Sequence, residues 1–125
     1  SIKKIPGLDL EKFGLGFVSS PCDTLPRASH RKEARRALSA AQEAIGGPKY
    51  SVIILDEVNW AIHEYLIKEG DIVNLIKSPP GGKTIVLTGA PQIKELVELS
   101  DIATEMKKIK HPYDKGIKAV KGIDF

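Results

Sequence analysis

Cysteine, methionine and tryptophan each occur once in the 125 residues, and aromatic residues make up only 6% of the chain. The lone cysteine, Cys22, excludes a disulfide within the chain and suits a reducing cytosol. No apolar run approaches the ~18 residues that a membrane-spanning helix needs, so no membrane partner is expected. The opening stretch, Ser1 to Gly7, has no secretory apolar core, and a cytoplasmic location is the expectation. His30, His63 and His111 are scattered, and no Cys/His spacing of a metal centre occurs. A Gly-x-Ser-x-Gly elbow is absent, as is any nucleophile with a base beside it. Neither an internal repeat nor a low-complexity segment is present. The net charge of +3 permits an anionic ligand without implying nucleic acid.

What is present is an ordinary globular mixture, 42% hydrophobic and 28% charged, of a length suited to one domain with a real core. Its centre is Ser51–Trp60. Val52, Ile53, Ile54 and Leu55 form an unbroken aliphatic run with no polar face, which predicts a strand buried on both sides, as in a parallel sheet. Asp56 and Glu57 follow at once. A strand ending in paired acids places them at the carboxyl edge of the sheet, where open α/β sheets hold ligands. In P-loop nucleotide-binding proteins such an acid helps to hold Mg²⁺ on the phosphates. The competing reading is a core strand that simply meets solvent at Asp56. Trp60 comes directly after; core packing is the favoured reading and stacking on a ligand the alternative.

Residues 1–12 read as a weakly anchored lead-in. Phe13–Val18 is apolar and interrupted by Gly14 and Gly16, either a short strand or a close-packed loop, and Ser19–Pro26 is loop. The spacing of Ala34, Ala37, Leu38, Ala41 and Ile45 predicts a helix over 28–45, stopped by Gly46-Gly47-Pro48. Its other face carries Arg31, Lys32, Arg35 and Arg36, favoured as solvated, with a phosphate- or partner-facing patch as the alternative. A helix is expected over about 59–68, broken at Glu69-Gly70, then a second over 72–77 capped by Asp71. Thr84–Thr88 reads as a second buried strand. Pro91 suits the first turn of a helix to about Leu99, whose inward face is Ile93, Leu96, Val97 and Ser100. Ile102–Met106 reads as a third, shorter strand. The order from 52 to 106 predicts a parallel α/β core with right-handed crossovers. The single domain then divides into a lead-in and loop (1–27), an α/β core (28–106) and a C-terminal tail (107–125). That tail is expected to pack back on the sheet through Ile117, Val120, Ile123 and Phe125.

Gly81-Gly82-Lys83-Thr84 looks like the end of a phosphate-binding Walker A loop. Such a loop leaves a strand and opens a helix, whereas this one precedes a strand, so a helix-to-strand connection is favoured.

Three separate pieces resemble one family. Ile54-Leu55-Asp56-Glu57-Val58-Asn59-Trp60 is similar to the Leu-Asp-Glu-Leu-Asn-Tyr/Trp segment of the P-loop class of ATP:corrinoid adenosyltransferases. Ile85-Val86-Leu87-Thr88-Gly89, then Ala90-Pro91, resembles its Val-Val-Leu-Thr-Gly-Arg-Gly-Ala-Pro segment. Most specific is the end of the chain: Thr104-Glu105-Met106, Lys110-His111-Pro112-Tyr113, Gly116-Ile117-Lys118-Ala119 and Gly122-Ile123-Asp124-Phe125. The resemblance is good over about 48–125 and weak over 1–47.

It implies a P-loop NTPase-like α/β fold, here lacking the P-loop strand, with a parallel sheet flanked by helices. It implies transfer of the 5′-deoxyadenosyl group of ATP to the cobalt of a reduced corrinoid (cobalamin), as in cobalamin biosynthesis. Co(I) attacks C5′ and triphosphate leaves, with Mg²⁺ on the triphosphate. Carried over by motif, Asp56 and Glu57 are the ATP- and Mg²⁺-side acids, Glu57 being the metal ligand. Gly16 and Phe17, with Asn59 and Trp60, are the corrinoid-side group. ATP and the corrinoid are the expected small-molecule partners, a homodimer is allowed, and nucleic acid is not expected. Three departures are plain. These residues hold no Gly-Asn-Gly-Lys-Gly-Lys-Thr loop, Ser19 stands where the family has a tryptophan, and Ala90 follows Gly89 where the family has arginine. They support an alternative, a non-catalytic relative that binds a corrinoid or a partner.

Overall fold

The computed structural model describes residues 4–16, 18, 23–77, 79 and 81–122. In chain order they form α1 (Arg27–Gly46), β1 (Val52–Leu55), α2 (Val58–His63), α3 (Glu69–Ile76), β2 (Thr84–Leu87) and α4 (Lys94–Leu99). A 3-10 turn follows at Pro112–Lys115. β1 and β2 pair in parallel, with Val52 opposite Thr84 and Leu55 opposite Leu87. The parallel α/β class expected from the strand–helix–strand order is what the chain adopts.

One side of this pair is a core. Val58, Ile62, Ile72, Val73 and Leu96 are buried together, with Leu38 of α1, Leu55 and Leu87 packed against them. Each such aliphatic side chain contributes about 1.5–3 kcal/mol on burial. The other side is bare. Val52 is 54% exposed and Ile54 60%, while Ile53 between them is buried. Burial of β1 on both sides is therefore corrected to alternate burial. Side chains alternate across a strand, and among the described residues the core cluster lies on one face only.

Helix α1 is nearly as the periodicity predicts, with Ala41 and Ile45 buried. It ends where the Gly47 N–H bonds to Glu43 O at 2.9 Å. Gly47 is in an extended conformation, so its glycine is needed for space: a Cβ there would lie 3.0 Å from Glu43 O. Helix α2 is shorter than expected because the chain turns at Tyr65 (φ 53°). Gly70 does not break a helix but lies in the first turn of α3, and Asp71 sits inside α3, where its Oδ2 accepts from the Lys68 N–H at 3.3 Å. Helix α4 begins three residues after Pro91, with Leu96 buried and Ser100 just beyond its end.

Two further expectations are corrected. Ile102–Met106 forms no strand, and all of 101–122 is exposed, so the described part of the tail does not pack on the sheet. A strand needs a neighbour to share its backbone hydrogen bonds, and none of the described residues supplies one. Residues 13–16 and 18 form no strand either. The lead-in is irregular but is tied to the turn before β1. Asp9 Oδ2 accepts from the Tyr50 hydroxyl at 2.7 Å and pairs with Lys49 Nζ at 2.7 Å. The Lys49 ammonium and the Tyr50 hydroxyl hold the Asp9 carboxyl below its ordinary value.

Candidate functional site at the carboxyl edge of the sheet

The strands run in register, so Asp56 and Thr88 leave the sheet side by side, one residue beyond the Leu55–Leu87 pair. The Thr88 N–H still reaches Leu55 O at 3.2 Å. Its hydroxyl then joins the two strand ends. Oγ1 donates to Asp56 Oδ1 at 2.7 Å and accepts from the Glu57 N–H at 3.0 Å. Glu57 takes a left-handed conformation (φ 57°), which is strained for a non-glycine residue. This turn aims the chain into α2.

Asn59 completes the group. Its N–H bonds to Thr88 O at 3.3 Å and its Nδ2 donates to Gly89 O at 3.2 Å, leaving Oδ1 buried without a hydrogen bond. Gly89 (φ 118°) lies close under the turn; a Cβ on it would stand 3.1 Å from the Glu57 Cα and 3.3 Å from the Asn59 Cβ. Asp56 and Glu57 are both exposed at this edge. Trp60, in the first turn of α2, is 43% exposed and its ring lies 5.4 Å from that of His63. Core packing of Trp60 is thereby overturned: its position follows the exposed side of α2, opposite Val58 and Ile62.

Asp56, Glu57, Asn59 and Trp60 are thus neighbours at one sheet edge. Gly16 is on the exposed lead-in with φ 112°, and among the described residues no hydrogen bond joins it to this group. Phe17 lies outside the described residues. Thr88 and Gly89 escaped the sequence reading as site residues. The available signal was the register: once β1 and β2 are aligned in parallel, Thr88 falls beside Asp56.

Among the described residues no three His, Cys, Asp or Glu side chains gather as a closed metal cage. The donor set at the edge is two adjacent exposed carboxylates. That suits a hard cation such as Mg²⁺, which keeps several waters and takes one or two protein carboxylates.

Lys83 is committed elsewhere, as the strand-preceding context of its glycines predicts. Its Nζ donates to Gly47 O at 2.5 Å, Tyr50 O at 2.7 Å and Ala44 O at 3.3 Å. It ties the end of α1 to the start of β2. The basic face of α1 is also partly committed. Arg27 donates to Glu64 O, and Arg31 Nε donates to Tyr65 O at 3.3 Å, so both cap the end of α2. Arg36 bonds both oxygens of Glu33, at 2.7 and 3.1 Å, and lies 4.8 Å from the centre of the Phe13 ring. Lys32 and Arg35 stay exposed. His30 is the buried polar residue of the described chain, 3% exposed, with Nε2 3.0 Å from Asp23 Oδ1.

Comparison with known proteins gives the family. The family described as ATP:corrinoid adenosyltransferase BtuR/CobO/CobP matches residues 1–125, and the chain belongs to that family. A corrinoid adenosyltransferase of Sinorhizobium sp is 36% identical over 114 residues, covering 90% of this chain and 52% of the relative. The corrinoid adenosyltransferase of Escherichia coli K12 is 28% identical over 120 residues, covering 95% of this chain and 59% of the relative. That of Pseudomonas aeruginosa is 29% identical over 113 residues, covering 90% and 54%. The chain therefore spans just over half the length of the curated relatives it matches.

Proposed function

We propose that this chain contributes the metal- and phosphate-side edge of a corrinoid adenosyltransferase site, where the 5′-deoxyadenosyl group of ATP passes to the cobalt of a reduced corrinoid. The observation that carries the proposal is the juxtaposition of Asp56 and Glu57 at the carboxyl edge of a parallel pair, in a family whose described activity uses ATP and a corrinoid. Asp56 and Glu57 would hold Mg²⁺ there, and the ion would supply charge stabilisation for a triphosphate leaving group. Glu57 is the acid proposed to hold the ion. Its side chain makes no hydrogen bond among the described residues, so it is available, and Asp56 stands beside it with one oxygen anchored. Asn59 and the exposed Trp60 ring form the corrinoid-side surface proposed here, and Gly16 and Phe17 are assigned to it by the family resemblance alone. A flat exposed ring suits stacking on a large conjugated ligand.

A second reading is favoured by one observation. Lys83 of the Gly81-Gly82-Lys83-Thr84 stretch is engaged with backbone carbonyls and so is not offered to a phosphate. On that reading the chain binds a corrinoid or a partner without transferring anything.

The test is to mix the protein with ATP and cob(I)alamin under strong reduction and to follow adenosylcobalamin spectroscopically. Product formation is expected. If no product forms while calorimetry still records corrinoid binding, the transferase reading fails and the binding reading stands.

A further inference from the structure

We infer that Thr88 is a positioning residue for the acid pair, its hydroxyl setting how Asp56 and Glu57 are offered to a divalent cation. The inference rests on the metal-side reading of those acids. A hydroxyl has one proton to donate, and Thr88 gives it to Asp56 Oδ1 at 2.7 Å. That is a charge-assisted bond to one carboxylate oxygen of the exposed Asp56, and among the described residues its Oδ2 makes no hydrogen bond. The lone pairs of the same oxygen take the Glu57 N–H at 3.0 Å, so one atom fixes the side chain of the first acid and the backbone of the second.

The turn it holds would not persist unaided. Glu57 sits at φ 57°, and Gly89 lies so near that a Cβ on it would stand 3.1 Å from the Glu57 Cα. Thr88 O and Gly89 O then fasten Asn59. Strained backbone at a sheet edge is retained where the surroundings over-determine it, and here Thr88 and Gly89 do so. Outer partners that orient ligating carboxylates typically change metal affinity about 10–100-fold when removed.

The experiment titrates Mn²⁺, standing in for Mg²⁺, and reads free Mn²⁺ by electron paramagnetic resonance. It compares the native chain with Thr88→Val, Thr88→Ser and Glu57→Gln, with circular dichroism confirming that each is folded. The native chain is expected to bind. Thr88→Val, which keeps the shape and removes the hydroxyl, should bind about 10–100-fold more weakly. Thr88→Ser should return affinity to near the native value, which a merely structural role of the γ-methyl would not do. Thr88→Cys keeps a weaker donor and should fall between them; it supplies the same contrast should the valine variant not fold.

If Glu57→Gln abolishes binding while Thr88→Val binds as the native chain does, the positioning role is overturned and the metal-side reading survives. Equal weakening by valine and serine also overturns it. If the native chain binds no Mn²⁺, or Glu57→Gln binds equally well, the metal-side reading falls and the inference falls with it.

Discussion

Replacing Lys83 by methionine should destabilise the chain without touching its ligand chemistry. Lys83 Nζ bonds three backbone carbonyls, two of them at 2.5 and 2.7 Å, and its charge sits at the C-terminal end of α1, which has no basic residue in its own last turn. Methionine has a similar length and is apolar. The loss has two parts. Hydrogen bonds from a charged donor are worth about 1.5–3 kcal/mol net. A cation at a helix C-terminus adds about 0.3–1 kcal/mol. The sum, about 2–4 kcal/mol, sits at a joint between α1, the Gly47–Tyr50 turn and β2. With a urea slope of about 1–3 kcal/mol/M, the midpoint should fall on the order of 1–2 M. The assay is urea unfolding followed by far-ultraviolet circular dichroism. Lys83→Arg should be destabilised less, since it keeps the charge but not the compact ammonium that the three carbonyls surround. A midpoint shift too small to resolve for Lys83→Met, or a loss of nucleotide binding at unchanged stability, would refute the structural assignment and revive Lys83 as a phosphate ligand.

Glu57→Gln should weaken Mg²⁺-dependent nucleotide binding with the fold intact; calorimetry showing an unchanged affinity would mean that the acid does not face the metal. Gly89→Ala should cost about 1–3 kcal/mol, because it forces a side chain into a left-handed conformation against the Glu57 Cα, and thermal unfolding measures it. Asp23→Ala should cost about 1–3 kcal/mol by leaving the buried His30 Nε2 without its carboxylate, again read by denaturation. For Asp9 the folded carboxyl titrates below its ordinary value, so its contribution is present above that value and is lost as pH falls through the lower folded one. The Tyr50 ring resonances should therefore shift in that acidic window, and Asp9→Asn should abolish the shift.

The parts of the fold that were legible have local causes. The aliphatic run Val52–Leu55 marks a strand because its three β-branched side chains, Val52, Ile53 and Ile54, are stiff and suit a pleated surface, and its bounds match those observed. The stripe from Ala34 to Ile45 marks α1 because burial of one helix face repeats with the helical period. What escaped depends on partners distant in sequence. Ile102–Met106 has strand-like residues, and none of the described residues lies beside it as a strand to pair with. Helix α2 stops where the chain turns at Tyr65, and Arg27 and Arg31, some thirty residues earlier, take the Glu64 and Tyr65 carbonyls just beyond its end. His30 gives no sequence sign of being buried, because its burial depends on Asp23 reaching it from the loop before α1. At the candidate site, the acids announced themselves as a pair after an apolar run. The threonine that holds them is visible only after the register of two strands is known.

The measurement closest to the central claim is the yield of adenosylcobalamin from ATP and cob(I)alamin with Mg²⁺ titrated, the native protein beside Glu57→Gln. The account predicts Mg²⁺-dependent product in the native protein and, in the variant, a yield at least about tenfold lower at the same Mg²⁺, as expected for loss of a charged metal ligand. Equal yields from the two, or no product from the native protein at any Mg²⁺ concentration, would contradict it.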